Sequence, residues 1–502
     1  MLFFSQNKEY HKKMSNIAIQ YNYLSLYPTE TTIWTKVQQQ DGLLKVVAMI
    51  AALVLVPFEW LGRLFYNLAM GLLSLCSRGG ISTPLPIASP TPISAVSQIS
   101  LQDRVQGALQ GQSIGDALGV FTEFLTRDQA AAARVALGRD DLEFSSRSFF
   151  LPREQGRHLS AFPVDGWTDD SDQAMMIPRA VRSASRSGSS SESLFAGQLL
   201  NWIYHGLNGY SGVQGDTFIS RQDPSSSDPN RSQIRAAGLG QLVSAVTRNQ
   251  NFSTNPHRAA LEEWKTMSYA PTVSDRGLMH FRPAPNGAVM RTSPIGSMYR
   301  SDNARVVAEA IRFAKVTHAD PRCLASCVAV SLAIALLQNG VAVPQVLRLA
   351  EDAAVQTLTT EMVQIAPHLD PREQGRVPEL TERYKQELQQ FLRADLSQLQ
   401  LGEGMIGYTY KCMGAGFYAL RKAYESSQQG GQPTSAIFRR VLQDVIWQGG
   451  DADTNAAVAG AMVGAFVGVN GIPDSWKQGL HPQDRALLAE TNQLIHQISA
   501  SG

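Results

Sequence analysis

Cysteine is scarce in this chain, with four among 502 residues. Cys76, Cys323, Cys327 and Cys412 show neither zinc-like pairing nor the density of a disulfide scaffold, which fits a reducing compartment. Cys323 and Cys327 are four apart on one apolar helical pattern and read as buried thiols. A dominant charge of one sign is missing too. Lys plus Arg total 44 against 43 for Asp plus Glu, the net charge is +1, and no strong basic run occurs, so nucleic acid is not expected as the main partner. Alternating strand patterns and hairpin turn signals are few, which argues against a sheet.

The first hundred residues differ in character from the rest. Residues 1–42 form a polar extension carrying Lys8, Lys12 and Lys13, unlike a signal peptide or an Arg-rich transit peptide. Residues 43–78 are hydrophobic, with one apolar run from Val46 to Phe58 and a second from Leu61 to Cys76 interrupted by Arg63 and Asn67. A spanning helix needs about 20 apolar residues. Residues 43–76 are therefore expected to contact a membrane, as one tilted span, a hairpin kinked at Pro57, or a helix lying on the bilayer. The alternative is a pair of helices packed on a soluble body. Residues 79–100, with Pro84, Pro86, Pro90 and Pro92, read as a stiff tether. The expected location is intracellular and membrane-associated, which is compatible with a secreted bacterial effector working at a host organelle.

Residues 101–500 read as an all-α body. Val306, Val307, Ala310, Ile311 and Ala314 fall on one helical face, and Leu324 to Leu337 is apolar nearly all round, as in a helix at the centre of a bundle. Ser183–Ser193 and Arg221–Ser232 read as surface loops, and Glu379–Leu399 as a charged, solvent-facing helix.

Two acidic clusters, Thr168-Asp169-Asp170-Ser171 and Gly449-Gly450-Asp451-Ala452-Asp453-Thr454, are far apart in sequence but alike in chemistry. Either one alone is most simply a helix cap. Together they supply carboxylates and hydroxyls of the kind that hard divalent cations prefer. Carboxylates gathered without cations would repel by roughly 4 kcal/mol per pair at 4 Å and an effective dielectric near 20. The second cluster leads into Asn455–Ala465, a helical run of small residues suited to close helix contact. Gly115-Asp116-Ala117-Leu118-Gly119 precedes Glu123; on its own, Asp116 reads as a capping or turn residue, and the glycines as a tight turn or close contact.

Five motifs occur in order: Gly115–Gly119 with Glu123, Trp167–Ser171, Asn286-Gly287-Ala288-Val289-Met290-Arg291, Thr317-His318-Ala319-Asp320, and Gly449–Asn455. This set resembles the ADP-ribosylglycohydrolase family, which includes dinitrogenase reductase-activating glycohydrolases and ADP-ribosyl-acceptor hydrolases. The resemblance runs from about Leu101 to the region of Asp474. It implies a compact orthogonal all-α domain around a cleft holding two divalent cations, Mg2+ or Mn2+. By the resemblance, Thr168, Asp169, Asp170, Asp451, Asp453 and Thr454 hold the metals. Glu123 matches an acid that reaches the metals or the scissile ribose in some members. Asn286 and Gly287 match a loop bordering ADP-ribose, His318 a position near the ligand, and Gly449 and Gly450 are expected at the substrate. Asp172 and Asp320 are extra acids, expected behind the site or in solvent. Ser171 stands where many members have Thr, which keeps the hydroxyl, and residues 282–285 lack an acid that some members place there.

The implied reaction is hydrolysis of the bond between the anomeric carbon of ADP-ribose and a side chain of a modified protein, arginine first and serine as the alternative. Glu123, Asp169, Asp170 and Asp453 are the candidate catalytic acids, with the general base left open among them. Five carboxylates, the four Asp and Glu123, bring about five negative charges against about four positive ones from two divalent ions, leaving one weakly held carboxylate for chemistry. Two competing readings remain: an ADP-ribose-binding module without turnover, and a haloacid dehalogenase-like phosphatase using Asp451 as nucleophile. The phosphatase reading needs an apolar strand before Asp451, where this chain has Gln448-Gly449-Gly450.

Overall fold

The computed structural model describes residues 99–138, 141–150, 159, 162, 165–205, 238–267 and 282–501. The polar extension, the hydrophobic segment, nearly all of the tether and residues 221–232 lie outside them. The described chain is helical, and its only β-type pairing is an isolated antiparallel bridge between Pro285 and Tyr408.

The longer helices are α1 (Leu101–Gly119), α2 (Arg127–Leu137), α3 (Asp169–Ser187), α4 (Ser191–His205), α5 (Gln241–Arg248), α6 (Pro256–Thr266), α7 (Ser293–Met298) and α8 (Asn303–Ala314). They continue with α9 (Pro321–Gln338), α10 (Val343–Ile365), α11 (Val377–Arg393), α12 (Thr409–Gln429), α13 (Thr434–Ile446), α14 (Ala452–Val467) and α15 (Pro482–Ser501). Helix α1 starts where Ser100 accepts from the Asp103 amide, and α8 where Asp302 accepts from the Arg305 amide. These short polar side chains satisfy amides that a first helical turn leaves unpaired.

The central contact is between α1 and α14, which run antiparallel. Gly107, Gly111 and Gly115 of α1 face Gly464, Gly460 and Ala456 of α14 so closely that a Cβ on each α1 glycine would sit 2.3, 2.1 and 2.0 Å from the opposing carbonyl oxygen. The relation is reciprocal: a Cβ on Gly460 or Gly464 would lie 2.0 Å from the carbonyl of Gly111 or Gly107. A stripe with glycine at every fourth residue lets the two backbones touch over several turns. Gly119 ends this stripe beside Ala452 and Asp453. The C-terminal acidic motif is thereby delivered to the end of α1, where Asp116 lies.

Helix α9 is buried along its whole length, with α8, α10 and α12 packed around it. By length and composition it could cross a membrane, yet all of it is enclosed in the domain, as its all-round apolar pattern predicts for a bundle centre. On α8, Val306, Ala310 and Ala314 are buried, with Val307 and Ile311 packed at the edge.

Two loop or helix assignments need correcting. Ser183–Ser187 is the exposed end of α3, closed by Gly188 at φ 71°, and α4 already begins at Ser191, so the loop is three residues, 188–190. The charged helix ends at Arg393 rather than Leu399: Asp395 caps a separate turn, Leu396–Leu399. That helix also buries Leu388 and Leu392, so only part of it faces solvent.

Candidate metal centre

Asp170 and Asp453, 283 positions apart in sequence, converge with Asp116. One carboxylate oxygen from each lies within 4.8 Å of the others, and the same holds for Glu123, Asp451 and Asp453. Asp453 belongs to both groups. The arrangement offers two adjacent oxygen-lined positions with a shared carboxylate between them, the kind of donor set that suits Mg2+ or Mn2+.

Each element delivers its acids for a local reason. Thr168 is the N-cap of α3, its hydroxyl accepting from the Asp170 amide, which places Asp169 and Asp170 in the first turn. Asp116 also caps α3, from a different helix: its two oxygens accept from the amides of Thr168 and Ser171, each at 2.9 Å. It therefore holds α3 against α1 while adding a carboxylate to the cluster. Asp451 sits at the N-cap of α14 but makes no side-chain cap there, so its oxygens are left for the acid cluster. Asn286 donates to Asp451 Oδ2 at 2.8 Å. The Asn286 loop is itself held by a bond from its amide to the Gly407 carbonyl, 3.0 Å, and by one from the Thr409 amide to the Ala284 carbonyl, 2.9 Å.

The turn before Asp451 explains its glycines. Gly449 and Gly450 have φ of 70° and 72°, and added Cβ atoms would lie 2.3 Å from the Leu125 carbonyl and 2.0 Å from the Leu401 carbonyl. Bonds from Gly450 N to Leu125 O (2.8 Å) and from Phe124 N to Gly450 O (2.7 Å) tie this turn to the segment carrying Glu123. Both glycines are buried; their visible contribution is to bring Glu123 and Asp451 together.

Burial and mutual repulsion dominate the electrostatics. Asp169, Asp170 and Asp453 are all pushed well above the ordinary carboxylate range, first by burial and then by neighbouring acids, including Asp116 for all three. Asp116 rises to about 6 through burial, offset in part by its hydrogen bonds. Among the described residues, Oδ1 of Asp170 and Oδ1 of Asp453 are buried without a hydrogen-bond partner. Orphaned anionic oxygens of this kind are costly unless a cation or proton meets them. The donor set thus fits a pair of divalent cations.

Asp169 faces a different environment. Gln173 donates to its Oδ2 at 2.9 Å, and Gly238 packs over its Oδ1 so tightly that a Cβ there would lie at 2.2 Å. Thr454 is buried, and its side chain beside Asp170 offsets part of the rise in that carboxyl's pKa. His318 is fully buried, and a Cβ on Gly287 would meet its ring at 3.2 Å, so the imidazole lies against the glycine of the Asn286 loop.

The extra acids each have partners of their own. Asp172 accepts from the indoles of Trp167 (2.8 Å) and Trp202 (2.9 Å). Asp320 is buried rather than solvated: it caps α9, pairs with Arg322 at 2.8 Å and accepts from Trp264. Asp116, read from the sequence as a capping or turn residue, does cap a helix, and it also joins the acid cluster, which that reading did not include. It lies within the last turn of a regular helix, one position from a glycine of the stripe, and that four-residue glycine period was the available signal. Gln173 was signalled only by its spacing of four from Asp169.

Asp451 opens a helix after a glycine turn, and among the described residues no strand precedes it. The phosphatase reading therefore has no scaffold. Cys323 and Cys327 are free and buried, in line with their reading as buried thiols, and Cys412 is also free and buried.

The ADP-ribosylglycohydrolase family model matches residues 97–501, further at the C-terminal end than the motifs alone reach. Similar proteins include an ADP-ribosylarginine hydrolase Tri1 of Serratia proteamaculans (strain 568), 23% identical over 395 residues that cover 79% of this chain and 80% of that one. An ADP-ribosylarginine hydrolase Tri1 of Pseudomonas putida (strain GB-1) is 23% identical over 374 residues, 74% of this chain and 73% of that one. A solved structure described as an ADP-ribosylglycohydrolase-related protein complex aligns with a TM-score of 0.46 at 20% identity, over 80% of this chain and 99% of that one. With a family match that spans the described domain and contains every acid of the cluster, the chain belongs to the ADP-ribosylglycohydrolase family.

Proposed function

We propose that this domain is a divalent-metal-dependent hydrolase that removes mono-ADP-ribose from arginine side chains of modified proteins. The observation that carries the reading is the meeting of two sequence-distant acid motifs at Asp453, with orphaned buried oxygens on Asp170 and Asp453. Membership of the family supports the reaction class. Two relatives named ADP-ribosylarginine hydrolase support the arginine linkage.

Asp116, Asp170 and Asp453 would hold one cation and Glu123, Asp451 and Asp453 a second, with Asp169, which feels the charges of Asp116, Glu123 and Asp451, and the hydroxyls of Thr168 and Thr454 as further oxygen ligands beside them. When bound, the two cations neutralise the carboxylates, help to hold the ribose hydroxyls and make a bound water more acidic. The chain's own residues do the rest. Asn286 donates to Asp451 through its side-chain amide and so holds this carboxylate in one orientation. Glu123, buried but at the cleft, is the candidate to take the proton from the attacking water. The water oxygen bonds to the anomeric carbon as the bond from that carbon to the guanidine nitrogen breaks; the electron pair leaves with nitrogen, and the proton taken from the water passes from Glu123 to it. His318, against Gly287, offers a polar contact beside the Asn286 loop, where the bound nucleotide sugar is expected.

Incubating defined arginine-, serine- and aspartate-linked ADP-ribose conjugates with the full chain, with and without chelator, tests the reading. Chelator-sensitive release from the arginine conjugate is the expected result. Cleavage confined to another linkage would overturn the arginine assignment, and binding without any cleavage would select the silent module.

A further inference from the structure

Arg291 is fully buried, yet among the described residues it forms no ion pair with a carboxylate. A desolvated guanidinium is expensive and is retained where it organises neighbours. Its donors reach in two directions. Nη1 donates to Gln173 Oε1 at 2.9 Å, and Gln173 Nε2 donates onward to Asp169 Oδ2 at 2.9 Å. Nη2 donates to Thr317 Oγ1 at 2.6 Å and to the Phe313 carbonyl at 3.3 Å, and Thr317 Oγ1 lies 2.7 Å from His318 Nδ1. The guanidinium also rests over the Phe195 ring, 5.1 Å from its centroid, which limits its freedom to turn.

The hydrogen bonds decide the histidine tautomer. Arginine can only donate, so Thr317 Oγ1 accepts from it and keeps one proton of its own to place. If that proton goes to His318 Nδ1, the threonine is satisfied and Nε2–H is left without a partner; Arg291 Nε is unpartnered among the described residues in either case. If His318 carried its proton on Nδ1, the buried threonine proton and the Nε2 lone pair would both lack partners, at greater cost. Burial and the nearby Arg291 charge hold the imidazole well below its usual range, so it stays neutral. Nε2 is buried and unpartnered among the described residues. It lies against Gly287, whose neighbour Asn286 bonds the cluster acid Asp451.

We infer that Arg291 is a positioning residue acting on two sides of the site at once: through Gln173 it sets the Asp169 carboxylate, and through Thr317 it locks His318 as a neutral Nε2–H donor. The consequence for turnover rests on the hydrolase reading; the tautomer and the orientation of Asp169 do not.

Long-range 1H–15N spectra of the full chain labelled with 15N-histidine, with the His318 signal assigned through His318→Gln, test the first arm. Nδ1 is expected as the unprotonated nitrogen from pH 6 to 8, and Thr317→Val is expected to give a mixture of tautomers. A wild-type signal with Nδ1 protonated, a titration at the ordinary histidine midpoint, or an unchanged pattern in Thr317→Val would overturn this arm. Calorimetry with Mn2+ alone tests the second: Gln173→Leu is expected to weaken binding by about 10- to 100-fold, as loss of a partner that orients a ligand does. Affinity equal to wild type would overturn it. Arg291→Lys keeps the charge but loses the fork and is expected to show both defects. Should that variant not fold, Thr317→Val and Gln173→Leu still decide. Absence of turnover in the wild-type protein would remove the hydrolase reading while leaving these two measurements informative.

Discussion

Gly111→Ala is the substitution that best separates the packing argument from ordinary helix energetics. In an exposed helix interior, glycine to alanine stabilises by about 1 kcal/mol through propensity and a smaller unfolded-state entropy. At Gly111 the new Cβ would sit 2.1 Å from the Gly460 carbonyl oxygen and 2.8 Å from its carbon, more than an ångström inside a normal contact. Both partners are backbone, so no rotamer change relieves the clash and α1 must move away from α14. Overpacking costs typically about 1–3 kcal/mol, and a backbone collision belongs at or above the top of that range. A net loss of about 2 kcal/mol or more should remain after the propensity gain. The same movement draws Asp116 from Asp453, so divalent-cation binding should weaken as well. Gly197→Ala is the control: it lies in α4, and its added Cβ would meet nothing within 4 Å. Urea unfolding and Mn2+ calorimetry on both variants are the assays. If Gly111→Ala were as stable as wild type and bound Mn2+ equally well, the interlock would not be what brings the two acid motifs together.

Other predictions follow from the acids. Asp453→Asn should abolish chelator-sensitive hydrolysis while the domain stays folded, because it removes the carboxylate common to both groups; circular dichroism beside the turnover assay checks both parts. Adding Mn2+ should raise the unfolding midpoint, by about 2.7 kcal/mol of stability at a hundred times its Kd. The rise should be larger at pH 8 than at pH 5, since the raised carboxylates must lose protons to bind. Asp484 is lifted to about 8, first by burial and then by Asp172. Its neutral form is favoured in the folded state, so its contribution is fully present below about 4, the unfolded value, and is lost as pH rises through about 8. Asp484→Asn should therefore gain in thermal stability over wild type between pH 5 and pH 9, and a constant difference across that range would count against the assignment.

Much of the domain was legible because its signals are local. The apolar period of α8, the all-round apolar α9 and the small-residue run of α14 each specify a helix and its burial without knowledge of partners. The two acid motifs were readable as a pair because each supplies hard oxygen donors that make little sense unsupported. What escaped depends on contacts between distant segments. Asp116 caps a helix 52 positions later, which no local pattern encodes. Asp320 is expected from the sequence behind the site or in solvent; its cap and its pair with Arg322 are local, whereas Trp264 reaches it from 56 positions away and only the fold brings that indole beside it. Gly449 and Gly450 looked like ligand-approach glycines, whereas their tight contacts are with the chain's own carbonyls. Arg291 stood in a recognised motif but carried no visible assignment, since its worth lies in reaching Gln173 and Thr317 at once.

The most direct test is anomalous diffraction from a crystal of the full chain soaked in Mn2+. Two peaks are expected, one among Asp116, Asp170 and Asp453 and the other among Glu123, Asp451 and Asp453, with Asp453 touching both. A crystal with no anomalous density between Asp170 and Asp451, or with these carboxylates on separate surfaces, would contradict a shared metal centre and the chemistry built on it.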